Sequence, residues 1–116
     1  MRIVDSPAWR ALAAHAEAVR PEHLRELFAA DVQRFERFSL RHDGLLLDFS
    51  KQRIDAETLA LLHALADASD VEGWKRKMVA GEPINHTEGR AVRHMALRTD
   101  KQEPLEVRVV LERLQK

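Results

Sequence analysis

The chain changes its hydrophobic period once. Phe38 and Leu40 lead up to Asp43-Gly44, and Leu45, Leu47 and Phe49 follow it at every second position. Glycine accepts a positive φ and aspartate tolerates one. Asp-Gly between two alternating apolar runs therefore predicts a two-stranded hairpin. Such a hairpin is marginal alone and has to lean on helices or on a larger sheet. On either side of it, apolar residues recur at helical spacing. The expected fold is mainly α with one small β-hairpin.

Start and stop signals divide the helical parts. Ser6-Pro7 predicts a first helix, with serine as cap and proline in the first turn. Leu12, Ala13, Ala16 and Val19 then share a face. Pro21 is expected to end that helix and open another carrying Leu24, Leu27 and Phe28. Asp55 should cap a helix from Ala56 to about Ala68, with Leu59, Leu62, His63 and Ala66 on one side. A further helix is expected from about Val71 to Val79, stopping at Gly81. Pro104 should open a last amphipathic helix with Leu105, Val109, Leu111 and Leu114. That helix stops without a Gly or Asn cap, as a free terminus or a cut through a longer helix would. Residues 1–116 are read as a single helical segment, since 116 residues suffice for one modest core.

Composition removes several function classes. Nineteen Lys and Arg balance nineteen Asp and Glu, so overall charge does not favour nucleic acid or an anionic membrane as partner. There is no cysteine, which removes disulfides, thiolate zinc sites and cysteine nucleophiles. The first twenty residues carry acids and a histidine within their apolar pattern, so no signal-peptide core can be drawn through them. No apolar run is long enough to span a bilayer. Asn85-His86-Thr87 matches the glycosylation sequon and is read as coincidence.

The polar residues concentrate in GEPINHTEGRAVRHMALR, Gly81 to Arg98. Asn85 and Glu88 have capping-box spacing, with Asn in place of the usual Ser or Thr. Thr87 is a second candidate cap. Ala91, Val92, Met95 and Ala96 then repeat at helical spacing, so a well-started buried helix is the favoured reading. A metal site is not favoured. The His86-Thr87-Glu88 triplet resembles the zinc-deaminase motif but lacks the required cysteines, and His86 and His94 lie about two turns apart. Glu88, Arg90 and His94 could share one side of a helix, yet a single helix makes no pocket. No serine sits in a nucleophile elbow, and no glycine-rich loop precedes a lysine. Trp74-Lys75-Arg76-Lys77 would spread its charges around a helix as a solvated face. The residues alone thus give a mostly helical segment with no self-contained active site.

The order of segments is more specific. HLRELFAADVQRFERFSL, then GLLLDFSKQRI, then GEPINHTEGRAVRHMALR closely resembles the N-terminal region of the glucose-6-phosphate isomerase (phosphoglucose isomerase) family. The matching motifs are Leu24 to Phe28, Asp31 to Phe35, Leu46 to Ile54 and Gly81 to Arg98. The resemblance covers about residues 9 to 114. Arg93 stands where the family usually has Leu, and His86 is a second small departure. The resemblance implies a much longer enzyme with two α/β sugar-isomerase domains, generally a dimer, interconverting glucose 6-phosphate and fructose 6-phosphate. It implies a Glu base moving a proton between C1 and C2 through a cis-enediol. His and Lys help ring opening, Ser and Thr hold the phosphate, and Arg stabilises charge, without metal or other cofactor.

The family's catalytic residues lie beyond the equivalent of Lys116, so no catalytic residue is carried onto this chain. Asn85, Thr87, Glu88 and Arg90 are assigned a structural role, in capping and in docking onto the isomerase domains. The chain alone is expected to be an inactive piece of a cytoplasmic enzyme of glycolysis and gluconeogenesis. Its expected partners are the remaining isomerase domains and, through exposed apolar faces, further copies of itself. Sugar phosphate is expected as substrate only of the full-length enzyme, with no nucleic acid or membrane partner. The second reading is a non-enzymatic helical interaction module that shares this segment.

Overall fold

A computed structural model of the chain describes residues 2–92 and 105–114. The chain divides into two compact units, Met1–Ser69 and Asp70–Lys116. Among the described residues both are chiefly helical, and the one sheet is the expected two-stranded antiparallel hairpin.

In the first unit, a short 3-10 turn at Ile3–Asp5 leads into α1, Pro7–Val19. Ser6 caps α1, its Oγ accepting from the Trp9 N–H at 3.1 Å, as the Ser-Pro pair predicts. The inward face differs from the expected one. Ala8, Leu12, His15 and Val19 turn inward, whereas Ala13 and Ala16 are exposed. His15 displaces the alanines because it finds polar partners in Asp55 and Thr58. Pro21 does not open the next helix. The helix α2, Leu24–Ala30, begins after His23, whose Nδ1 accepts from Arg25 N–H while Glu26 accepts from His23 N–H. A four-residue turn, α3 (Arg34–Arg37), follows and was not anticipated.

The hairpin pairs β1, Ser39–His42, with β2, Leu45–Asp48, in the register Leu40 to Leu47 and His42 to Leu45. Asp43 and Gly44 both have positive φ, 45° and 79°, as a two-residue turn between right-twisted strands requires. Beyond the strands the ladder continues once, Phe49 N–H donating to Phe38 C=O at 2.9 Å. There Phe38 and Phe49 meet edge to face with centroids 6.0 Å apart. Phe38 is 2% exposed. Burying such a side chain contributes about 1.5–3 kcal/mol.

The helix α4, Ala56–Ala68, is capped by Asp55 as expected and packs on α1. Its inner positions are Thr58, Leu59, Leu61, Leu65 and Ala66, while Leu62 and His63 lie outside. In the second unit, α5 spans Val71–Ala80. Asp70 caps it, and Gly81 ends it at φ 75°, its N–H returning to Met78 C=O. The last helix, α6, spans Leu105–Leu114 and buries Val107, a position outside the expected apolar set. Val109, expected on the buried side, is 38% exposed. No described helix is long and apolar enough to cross a membrane.

Candidate functional site

The structure brings Asn85, Thr87, Glu88 and Arg90 together, but not at a helix start. Asn85 N–H donates to Arg90 C=O at 3.1 Å, and Gly89 N–H donates to Asn85 C=O at 2.8 Å. These two bonds close residues 85–90 into a loop joined by an antiparallel bridge. Asn85 Oδ1 fills the inside, accepting from Thr87 N–H at 3.2 Å, Thr87 Oγ1 at 2.8 Å and Glu88 N–H at 3.4 Å. The capping spacing is therefore used as an Asx turn. Gly89, at φ 63°, steers the backbone out of the helical path. Ala91 and Val92 are not helical, and the rest of the expected helix, Arg93 to Arg98, lies outside the described residues.

The loop's charged groups face solvent. Arg90 and Glu88 approach at 3.9 Å with side chains 77% and 58% exposed. Such a pair contributes little, about 0–1 kcal/mol at most. His86 meets Trp74 of α5 edge to face at 5.2 Å, which gives it a packing role. Lys77 lies over the same indole at 4.9 Å, and Lys75 pairs with Glu72 at 2.7 Å. Among the described residues no three His, Asp or Glu side chains converge as metal ligands would.

A buried polar constellation belongs to Arg34, which the sequence marks only as part of the Asp31 to Phe35 motif. Its side chain is buried, and it stacks on the rings of Phe38 at 4.7 Å and Phe28 at 5.4 Å. Nε donates to Ser50 C=O at 2.9 Å, and Nη2 donates to Gln52 and Ile54 C=O, each at 2.8 Å. A buried guanidinium needs hydrogen-bond acceptors, and here main-chain oxygens take three of its five N–H groups. The loop receiving Arg34 is held from its other end by Asp48. Asp48 Oδ1 accepts from Ser50 Oγ at 2.6 Å and Ser50 N–H at 2.9 Å, which holds the carboxyl below the ordinary aspartate value.

A second constellation joins α1 to α4. His15 Nε2 lies 2.9 Å from Thr58 Oγ1 and 3.1 Å from Asp55 Oδ1. Asp55 Oδ1 also accepts from Thr58 N–H at 2.7 Å and Thr58 Oγ1 at 2.8 Å. Burial pushes the Asp55 carboxyl up, but the Thr58 hydrogen bonds and His15 together outweigh it and leave it below its ordinary value. Beside this cluster is an open cleft of about 240 Å³ lined by Leu12, Val19, Arg20 and Arg53 among others. Arg53 spans it by donating to Arg20 C=O, which occupies an acceptor at the end of α1. These groups hold two helices together. Thr58 Oγ1 and Asp55 Oδ1 meet His15 at the same nitrogen, so Asp55 does not orient the ring from Nδ1 as a relay requires, and Nδ1 lies 3.7 Å from the exposed Glu57 carboxylate, beyond hydrogen-bond reach.

A sequence model of the phosphoglucose isomerase family matches residues 48–111, more than half of the chain. The chain belongs to the phosphoglucose isomerase family. Among curated relatives, a glucose-6-phosphate isomerase from Dechloromonas aromatica is 69% identical over 99% of this chain and 22% of its own length. One from Anaeromyxobacter dehalogenans is 50% identical over 90% of this chain and 19% of its own length. One from Deinococcus radiodurans is 50% identical over 91% of this chain and 20% of its own length. The chain thus spans about a fifth of these relatives. The interaction-module reading finds no support in them. Arg34 gives two of the phosphoglucose isomerase motifs a common physical purpose: it stands in the Asp31 to Phe35 motif and bonds the backbone of the Leu46 to Ile54 motif.

Proposed function

We propose that this chain is the helical N-terminal part of a glucose-6-phosphate isomerase and supports catalysis carried by sugar-isomerase domains outside it. The observation that carries this reading is the run of identity, 69% over 115 residues, with a relative named for that activity. The reaction is the interconversion of glucose 6-phosphate and fructose 6-phosphate by proton transfer through an enediol, a step of glycolysis and gluconeogenesis. It needs a placed base and donors around developing charge. The described clusters of this chain serve packing instead: Arg34 gives three hydrogen bonds to carbonyls, and Asp55 Oδ1 is engaged by Thr58 and His15. Asn85, Thr87, Glu88 and Arg90 keep a structural and docking role in this reading. The working enzyme is a cytoplasmic homo-oligomer acting on sugar phosphate without a cofactor.

The test is a chimera in which this chain replaces the matching segment of the Dechloromonas aromatica isomerase. The chimera should isomerise glucose 6-phosphate, and the 116-residue chain alone should not. A folded but inactive chimera would overturn the reading.

A further inference from the structure

One face of the hairpin's outer half is mainly apolar and exposed. Strand side chains alternate between faces. With the observed register, Phe38, Leu40, His42, Leu45, Leu47 and Phe49 fall on one face, and Ser39, Arg41, Leu46 and Asp48 on the other. The first face begins at its root with Phe38, 2% exposed. It ends at its tip with Leu40, Leu45 and Leu47, exposed to 62%, 73% and 60%. Apolar side chains run along this face from the core to the tip, where exposed His42 stands opposite Leu45. A two-stranded sheet in this condition is marginal until something covers it.

Resting on the reading above, we infer that this face is a seat for the rest of the isomerase polypeptide, with Leu40, Leu45 and Leu47 inserted into an apolar surface of the sugar-isomerase domains. The argument is one of length and area. The relatives that align along nearly this whole chain, hairpin included, devote only 19–22% of their length to it, so roughly four fifths of such a polypeptide stands available as cover. A second copy of this chain is the weaker occupant. Three leucines are each smaller than an aromatic side chain, which buries about 150–250 Å². They fall short of the roughly 800 Å² per partner that a standard interface buries. Docking within one polypeptide avoids the translational and rotational cost that two separate chains would meet. The face carries no lysine or arginine, so it offers little to a nucleic acid, whose binding depends on cationic contacts.

The experiment compares hydroxyl-radical labelling of these leucines in the isolated chain and in the chimera, with Phe38 as the buried reference. Labelling of Leu40, Leu45 and Leu47 should be lost in the chimera. As a second measurement, the chimera carrying Leu45→Asp and Leu47→Asp should lose about tenfold or more in activity, because burying unpaired carboxylates is costly. An active chimera whose three leucines label as in the isolated chain overturns the docking inference and leaves the isomerase reading standing. Loss of labelling in the isolated chain on raising its concentration, to the level in the chimera, overturns it in favour of a second copy. A folded, inactive chimera without the substitutions overturns the isomerase reading itself.

Discussion

Arg34 holds its guanidinium carbon 4.7 Å from the centre of the Phe38 ring, and both side chains are 2% exposed. The pair joins α3 to the root of the hairpin, and three carbonyls beyond it complete the arrangement. Arg34→Ala removes all three of these hydrogen bonds together with the stacked cation. The expected cost is about 3 kcal/mol or more. Arg34→Lys should recover only a minor part, because a single ammonium cannot reproduce the planar fork. Urea unfolding of the chain, followed by circular dichroism, measures both. A cost for Arg34→Ala typical of an exposed residue would contradict the account.

Asp55 makes stability depend on acid. Its carboxyl lies below the ordinary value of 3.8 in the folded chain. A depressed carboxyl stabilises fully above its unfolded value, near 3.9, and that contribution is lost as pH falls through the lower folded value. Asp31 and Asp48 are lowered as well, by Arg37 and by Ser50 respectively, so they act in the same window. The urea midpoint should hold steady from neutral pH to about pH 4 and then fall. Asp55→Asn, which can still cap the helix, should fall less steeply. At pH 7, Asp55→Ala should cost about 1 kcal/mol through loss of the cap.

Gly73 matters through its neighbour. A Cβ there would fall inside the Asp70 carboxylate that caps α5. Gly73→Ala should therefore displace the cap and cost about 1 kcal/mol, despite alanine's better helix propensity. In an Asp70→Ala background the same substitution should be neutral or stabilising. A double-mutant cycle in urea reads the difference. At Gly81 the cause is different: φ is 75° and no atom lies within reach of an added Cβ, so Gly81→Ala should cost about 1 kcal/mol through backbone strain alone.

Glu88 is exposed and turned toward Asn85 and Arg90. In the active chimera, Glu88→Gln should leave kcat/KM within about twofold, since no charge acting on substrate is removed. A loss of several orders of magnitude would make Glu88 the catalytic base.

The isolated chain should form dimers or larger species at high concentration, through its exposed apolar side chains. The side chains for this contact are Val32, 92% exposed, and Val79, 65% exposed, and not the hairpin leucines, whose labelling should hold as the isolated chain is concentrated. Light scattering over a concentration series tests this, and a monomer throughout would contradict it.

The sequence was most legible where structure is decided within a few residues. Ser6-Pro7, Asp43-Gly44, Asp55 and Gly81 each act where expected, because caps and turns are chosen by the local backbone. The inner faces of α1 and α4 were only partly legible. Leu12 and Val19 lie inward, but His15 replaces Ala16 because its partners, Asp55 and Thr58, are some forty positions away. Arg34 was hidden for the same reason: its acceptors are carbonyls, which leave no trace in residue identity. At Asn85 the local signal was real but ambiguous, since an Asx turn and a helix cap use the same oxygen. Gly89 decided between them.

Arg34 binds the oxygens of residues 50, 52 and 54 and ignores the side chain at 52. Every amino acid supplies that oxygen equally. Position 52 can therefore drift in size, charge and polarity while the bend keeps its course, whereas position 34 has no comparable licence. One cation thus concentrates in a single codon the constraint that would otherwise be spread across a whole loop.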